Sequence, residues 1–413
     1  MDDQIRGRRL ALATYVTAVA LTSIAYIATF QNASIAAPHI TGIVSTAGLP
    51  SSAAVGGTAL AAALLSGLMA ARGRRAGIVA GIVVAVVGSI LTFVAILAWS
   101  FPLLLVGAGL TGFGNAAVSL SRYAAADLYP SGARGSAVGI VVWGSTVGAV
   151  LGPNLVAPAN AVAAELGVER FAGGFAMAVG FMALALAVAA FGPRAPVVAV
   201  APADAGAAAP GAPGTPLLRL LAALFVDARG RMAVLALISG QLVMVLIMTM
   251  TPYQLDHAGH GDTVVGIVIS AHVLGMFALS PVSGRLTDRY GAVPVILGGF
   301  GLLTLAGVLA AAAPAEGGVA LMVPLFLLGF GWNLGFVAGS SLLASGAGYA
   351  DRARTQGLVD ALVWGTSAFA GVLAGIVVAG PGFSALSLGG AGLAVVLAAI
   401  IAVDGRASRT AGA

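Results

Sequence analysis

Apolar residues fill the chain in long runs that are interrupted at intervals by Gly, Pro or charged residues. Most runs reach roughly 20 residues, which is the length that an α-helix needs to cross the hydrocarbon core of a bilayer. The pattern predicts twelve transmembrane helices over residues 9–37, 48–71, 77–99, 102–127, 134–162, 171–191, 232–253, 263–286, 293–313, 319–346, 354–378 and 384–403. We therefore expect an all-α, multi-pass membrane protein.

Composition agrees with this class, because the 413 residues are 60% hydrophobic and only 8% charged. The N-terminal segment MDDQIRGRRLALATY has no clear cleavage site after it and predicts a retained first helix. All 19 basic residues are arginines, and those in the loops fall on one predicted side except for Arg170. The positive-inside rule then predicts that both termini are cytoplasmic, and the charge does not indicate nucleic-acid binding.

Sequence echoes about 220 residues apart indicate a duplicated six-helix unit. The segment VWGST at 142–146 recurs as VWGTS at 363–367, and SGLMAARGRR at 66–75 is echoed by SGRLTDRYGA at 283–292. A Pro/Ala/Gly tract at 193–216 predicts a flexible linker, and an amphipathic segment follows it. The predicted organisation is an N-terminal bundle (1–192), a cytoplasmic linker (193–231) and a C-terminal bundle (232–413).

These features resemble the major facilitator superfamily, whose fold has twelve helices in two pseudo-symmetric six-helix bundles. The resemblance is carried by a loop signature made of Gly284, Asp288, Arg289 and Gly291, while the related loop at 67–75 is one residue shorter and lacks the acidic residue. A second motif, formed by Gly148, Gly152 and Pro153, resembles one that is common in proton-linked antiporters. Its physical alternative is close helix packing with a bend at the proline.

The stretch MVLIMTM at 244–250 concentrates three of the chain's ten methionines. Met244 and Met248 are four residues apart and share a helix face, whereas Met250 is rotated away from it. The next predicted helix repeats this spacing with His272 and Met276. Two interpretations are open: core packing with a hydrogen-bonded histidine, or a soft ligand set of three thioethers and one imidazole that suits copper. The chain has no cysteine, so no thiolate takes part.

The paired spacing resembles the signature of CcoA-type copper importers, and the contexts SAHVLGMFALSPVSGRLTDRYG and LSRYAAADLYPSGARG fit that branch. The resemblance implies that Met244, Met248, His272 and Met276 bind copper as a transported substrate. It further implies import for the assembly of cbb3-type cytochrome c oxidase, without enzymatic activity or a prosthetic group. The expected partners are the lipid bilayer and a cytoplasmic copper chaperone or acceptor, and we expect a monomer.

Two rival functions stay open from the sequence. The same branch contains or borders transporters of riboflavin. The motif of Gly148, Gly152 and Pro153, called the helix-five motif below, favours a proton-coupled exporter of drugs or small organic solutes. The other rival is a membrane copper sensor without net transport. No nucleotide-binding motif is present, which makes direct use of ATP unexpected.

Polar residues near the predicted helix ends add further candidates. His257 and His260 either line a metal entry or belong to a solvated loop. Arg122, Asp127 and Asp360 lie within or at the ends of predicted helices, where an isolated charge is costly. Arg122 and Asp360 are expected to pair as an inner gate. The alternatives are a proton-carrying role for Asp360 and local pairing with Arg134, Arg352 or Arg354.

Overall fold

A computed structural model describes residues 2–43, 46, 48–193, 216–258, 262–314, 318–345 and 349–410. Within these ranges the chain forms fourteen α-helices. Their bounds are α1 (Asp2–Thr41), α2 (Leu49–Arg72), α3 (Arg74–Leu97), α4 (Phe101–Ala126), α5 (Arg134–Glu165), α6 (Ala172–Phe191), α7 (Leu217–Val226), α8 (Ala228–His257), α9 (Asp262–Phe277), α10 (Ser280–Tyr290), α11 (Ala292–Ala312), α12 (Met322–Ala344), α13 (Tyr349–Ala379) and α14 (Phe383–Thr410).

Twelve segments of the described chain are long and apolar enough to span a membrane, which confirms the predicted count. The eighth of these spans differs from its prediction. A single helix was expected over 263–286, but α9 ends at Phe277 and α10 begins at Ser280. Pro281 has no backbone N–H to continue the hydrogen-bond ladder, so the apolar run is divided into two helices.

The chain separates into two compact units. Unit 1 comprises residues 1–128, 144–215 and 347–364, and unit 2 comprises the remainder. Both α5 and α13 therefore contribute to each unit, and they change unit at Trp143–Gly144 and at Trp364–Gly365 respectively. These are the same positions in the two echoed segments VWGST and VWGTS, which supports the inferred duplication. The predicted linker falls largely on residues 194–215, outside the described residues.

Each unit has an apolar interior of its own character. One cluster in unit 1 is built from alanines of α1 together with Ile96, Leu104 and Phe175. The larger cluster of unit 2 contains leucines of α12 together with Phe300 and Trp332. Lipid tails are as apolar as the helices, so helix association in a bilayer depends on close van der Waals packing. Small side chains allow the helices to approach closely.

The two echoed loops end in the same backbone conformation despite their different lengths. Gly73 has φ 88° and ψ 162°, and Gly291 has φ 86° and ψ 162°. Each glycine also donates its N–H to the carbonyl four residues earlier. A positive φ favours glycine at such a position. The shorter loop at 67–75 therefore retains the glycine that ends the helix, although it lacks the acidic residue of the signature.

Candidate functional site

The predicted methionine ligands lie in one part of unit 2. Met244 on α8 is buried, while Met248 on α8 and Met276 on α9 are half-buried. All three pack against the hydrophobic cluster that includes Leu325 and Trp332 of α12. Met250 packs against this cluster as well, but it also contacts a second cluster that contains residues of α13 and α14. The three thioethers thus belong to one extended apolar cluster, which contains residues of α8, α9, α11, α12 and α14.

His272 lies beside the same cluster and is 2% exposed. Its Nδ1 is 2.9 Å from the carbonyl oxygen of Leu325. A carbonyl only accepts hydrogen bonds, so this contact requires the proton on Nδ1 and leaves a lone pair on Nε2. The Nε2 atom is buried and has no hydrogen-bond partner among the described residues. Histidines that bind metals commonly donate their other N–H to a carbonyl in this manner, so His272 has the tautomer of a ligand.

A polar group adjoins this region that the sequence interpretation missed. Gln241 on α8 donates from Nε2 to the Ser367 hydroxyl at 2.7 Å and accepts from Trp332 Nε1 at 2.9 Å. The Trp332 ring stacks on Phe336, with 4.5 Å between the ring centroids. Because Gln241 precedes Met244 by three residues, its place on the methionine face was readable from helical spacing.

Arg122 on α4 and Asp360 on α13 form a buried ion pair in unit 1, as the sequence predicts. Each side chain is 1% exposed. Arg122 Nη2 lies 2.5 Å from Asp360 Oδ1, and Arg122 Nη1 lies 3.0 Å from Oδ2, so the contact is bidentate. Ser119 and Tyr123 also donate to the carboxylate, at 2.9 and 3.2 Å. These extra donors satisfy the carboxylate in a setting where an isolated charge is costly.

A second set of polar contacts lies at the same ends of α4 and α13. Asp127 accepts from Arg74 Nε at 2.9 Å and from Arg352 Nη1 at 3.3 Å. Arg74 also donates to Gln356 Oε1 at 2.6 Å. Of the arginines named as alternative local partners, Arg352 pairs with Asp127. Arg134 contacts the backbone carbonyls of Tyr129 and Ala344.

The loop signature serves a different type of contact, in unit 2. Asp288 on α10 accepts hydrogen bonds from the backbone N–H groups of Gly135 and Ser136, both at 2.8 Å, and from the Ser136 hydroxyl at 2.5 Å. These donors belong to the first turn of α5, so the carboxylate caps that helix and faces its positive end. The two helices approach closely because Gly284 has no side chain. A Cβ at this position would lie 2.4 Å from the Gly135 carbonyl oxygen, which is too close.

The remaining predicted residues have separate positions. His257 is the last residue of α8, and His260 falls outside the described residues. Arg289 is exposed, and its guanidinium carbon lies 5.3 Å from the centre of the Tyr290 ring. Cβ atoms on Gly148 and Gly152 would meet Ser23 and Ile24 of α1, which supports their close-packing interpretation, and α5 continues through Pro153.

No group of three or more His, Asp or Glu residues within the described ranges is arranged to hold a metal ion. This finding does not concern the thioether sulfur of methionine, which is not one of these residue types.

Comparison with known proteins identifies the family. The family model described as Major Facilitator Superfamily matches residues 10–261 and 232–410. The chain belongs to the major facilitator superfamily. It is 36% identical, over 88% of its length and 85% of the relative's, to the uncharacterized MFS-type transporter YdeG of Bacillus subtilis (strain 168). It is 28% identical, over 76% of its length and 75% of the relative's, to the riboflavin transporter RfnT of Brucella anthropi.

The fold agrees with this family. The structure resembles that of FucP, a Major Facilitator Superfamily transporter in the outward conformation, with a TM-score of 0.73 and 16% identity over 96% of this chain and 99% of that one. The described ranges are helical and contain twelve candidate spans, so the chain is a multi-pass membrane protein with the superfamily fold. Family and fold together make it a secondary transporter.

Proposed function

We propose that this transporter carries copper into the bacterial cytoplasm by alternating access. The observation that carries the proposal is the environment of His272. Its Nδ1 donates to a backbone carbonyl, and its buried Nε2 has no hydrogen-bond partner among the described residues. Met276 follows one turn later on α9, and Met244 and Met248 pack into the same cluster. This donor set has the softness that copper prefers.

The chemistry of these donors suits transport. Thioethers are neutral and bind without releasing protons, and imidazole binds in its neutral form. A change in helix positions can then release the ion without titration of three of the four ligands. Hard cations such as Mg²⁺ and Ca²⁺ require oxygen ligands, which this set does not supply.

The buried ion pair between Arg122 and Asp360 is proposed as the gate on the cytoplasmic side. The pair joins α4 and α13, which lie on opposite sides of the linker in sequence, and both charges are almost fully excluded from solvent. Separating them requires new partners or water for both charges, so the contact favours one conformation until substrate binding offsets the cost. Asp127, with Arg74 and Arg352, forms the outer layer of the same gate.

The resemblance to CcoA-type importers supports further parts of the proposal. The copper would serve assembly of cbb3-type cytochrome c oxidase and pass to a cytoplasmic chaperone or acceptor. The transporter would act as a monomer in the inner membrane with both termini cytoplasmic. His257 and His260 stay a predicted metal entry.

Transport of a small organic solute is the second candidate. One relative is named as a riboflavin transporter, and the stacked Trp332 and Phe336 offer aromatic surfaces beside the polar Gln241. A flat heterocycle would use such surfaces for stacking and hydrogen bonding. An exporter of drugs, suggested by the helix-five motif, belongs to the same class.

Cellular uptake separates these functions. Copper content would be measured by mass spectrometry in a deletion strain, with and without the gene, and riboflavin uptake would be measured in a strain that cannot synthesise it. We expect the gene to restore copper content and to leave riboflavin uptake unchanged. Restored riboflavin uptake with unchanged copper content would favour the organic solute. Altered gene expression without copper flux in vesicles would indicate a sensor.

A further inference from the structure

The break between α9 and α10 begins after Phe277, which follows Met276, and side chains satisfy two of the backbone carbonyls beside it. Pro281 cannot donate to the carbonyl of Phe277, and the Ser280 hydroxyl donates to that carbonyl instead, at 2.7 Å. The carbonyl of Met276 accepts from Asn333 Nδ2 on α12, at 2.6 Å. The break is therefore a structured junction in which each of these two carbonyls has a side-chain donor.

Asn333 joins both sides of this junction through its single amide. Its Nδ2 also donates to the Ser280 hydroxyl at 2.7 Å, and its Oδ1 accepts from the Ser283 hydroxyl at 2.5 Å. Asn333 is fully buried, at 0% exposure. The amide thus uses both donors and its acceptor to tie the last turn of α9 to the first turn of α10.

The face of α10 that begins at this junction packs on α5. Ser280, Gly284 and Asp288 follow one another at four-residue spacing and share a helix face. Ser280 and Gly284 lie against α5 so closely that Cβ atoms on Gly139 and Gly135 would meet them. Asp288 then caps the first turn of α5. One short helix therefore spans the distance from Met276 to the start of α5.

We propose that Asn333 is a positioning residue that couples the place of Met276 to the contact between α10 and α5. A shift of Met276 moves a carbonyl that Asn333 holds, and the same amide holds the two serines of α10. The role of Met276 as a copper ligand rests on the function proposed above. The coupling across the junction rests on the hydrogen bonds alone.

A cysteine reporter on α10 tests this coupling, since the chain itself contains no cysteine. Thr287 is 5% exposed, and a Cβ on Gly135 would lie 2.9 Å from its Cβ. Labelling of a Thr287→Cys protein by N-ethylmaleimide therefore reports separation of α10 from α5. Arg285→Cys, on the exposed face of α10, gives the rate of an open site. The purified full-length chain would be labelled without copper, with Cu(I) and with Cu(II).

Asn333→Leu removes the amide at similar volume, and Asn32→Leu is its matched control. Asn32 is equally buried, but it lies on α1 in unit 1 and donates to the Phe171 carbonyl, at the start of α6. Without copper we expect Asn333→Leu to raise labelling at Thr287→Cys by about tenfold or more, from the loss of its three hydrogen bonds. Asn32→Leu should leave the rate unchanged. Added copper should alter the rate in the parent reporter protein but not after Asn333→Leu.

Each outcome bears on one part of the proposal. Equal labelling of the Asn333→Leu and Asn32→Leu proteins without copper would overturn the coupling, whatever copper does. An unaltered response to copper after Asn333→Leu would also overturn it. If copper neither binds nor changes labelling in the parent protein, the copper function is wrong, and the copper-free rates then decide the coupling by themselves.

Discussion

Two contacts hold the N-terminal halves of the two echoed long helices, and they differ in their electrostatics. In unit 1, α13 is held to α4 by the ion pair of Arg122 and Asp360, with both charges buried. In unit 2, α5 is held to α10 by the Asp288 carboxylate, which caps the helix with hydrogen bonds from Gly135 and Ser136. The two echoed helices are thus held by different partner helices and by different chemistry.

The difference predicts unequal consequences of disruption. Removal of one member of a buried ion pair leaves a charge without compensation and costs about 3–5 kcal/mol. Loss of a helix cap costs about 0.5–2 kcal/mol, because the lost hydrogen bonds come from neutral groups and no charge is left unpaired. We therefore expect a large loss of stability in the contact between α13 and α4 when one charge is removed. We expect a smaller loss in the contact between α5 and α10 when the cap is removed.

The largest effect is expected from Asp360→Asn, which removes the charge opposite Arg122. The reporter is Ser66→Cys on α2, because Ser66 is 3% exposed and packs against Gly357 of α13. A loss of about 3–5 kcal/mol should raise maleimide labelling by a hundredfold or more. Arg72→Cys, exposed on the same helix, calibrates the open rate.

A double variant sharpens this prediction. Arg122→Met combined with Asp360→Leu replaces the pair with apolar side chains, which is often neutral or stabilising for a buried ion pair. Labelling of Ser66→Cys should then fall back close to the rate of the intact pair. A double variant that labels as fast as Asp360→Asn would show that the charge imbalance is not the cause of opening.

A smaller effect is expected from Asp288→Ala, measured by labelling of Thr287→Cys on α10. Loss of the cap should raise labelling by roughly twofold to thirtyfold, which corresponds to about 0.5–2 kcal/mol. Asp288→Asn retains one acceptor oxygen and should have a smaller effect than the alanine variant. Opening as large as that caused by Asp360→Asn would contradict the proposed difference between the two contacts.

The smallest effect is expected from Arg352→Gln. Asp127 keeps its shorter contact with Arg74, and its side chain is 16% exposed, so the remaining charges are not isolated. The cost should be about 1 kcal/mol or less, and labelling of Ser66→Cys should rise less than about fivefold. Labelling at high salt should be little different. A large rise in the labelling rate of the Arg352→Gln protein would mean that the Arg352 contact alone keeps α2 and α13 together.

The sequence predicted the span count well, because long apolar runs leave little choice in a bilayer. The break at 278–279 was missed, although Pro281 was visible, because a proline within a span can bend or divide a helix according to its neighbours. Here Asn333, which lies more than 50 residues later in the chain, supplies the donors that stabilise the division.

Some of the ion pairs at this end of α4 and α13 were predictable and others were not. The pairing of Arg122 with Asp360 was predicted from two charges in apolar helices, and it is confirmed. Gln356 was overlooked, although Arg352, Gln356 and Asp360 recur at four-residue spacing and therefore share one face of α13. The contact of Arg74 with Asp127 depends on the packing of α3 and α4, and local patterns do not encode such a contact.

Copper flux into proteoliposomes tests the central proposal most directly, with purified wild-type protein, Met248→Leu and Met250→Leu compared at equal incorporation. Leucine matches methionine in volume, so each variant loses a sulfur with little change in packing. Met250 is the matched control because it lies on the same helix but is rotated away from the predicted ligand face. We predict wild-type copper uptake by Met250→Leu and loss of most uptake by Met248→Leu. Equal uptake by all three proteins would contradict the copper site.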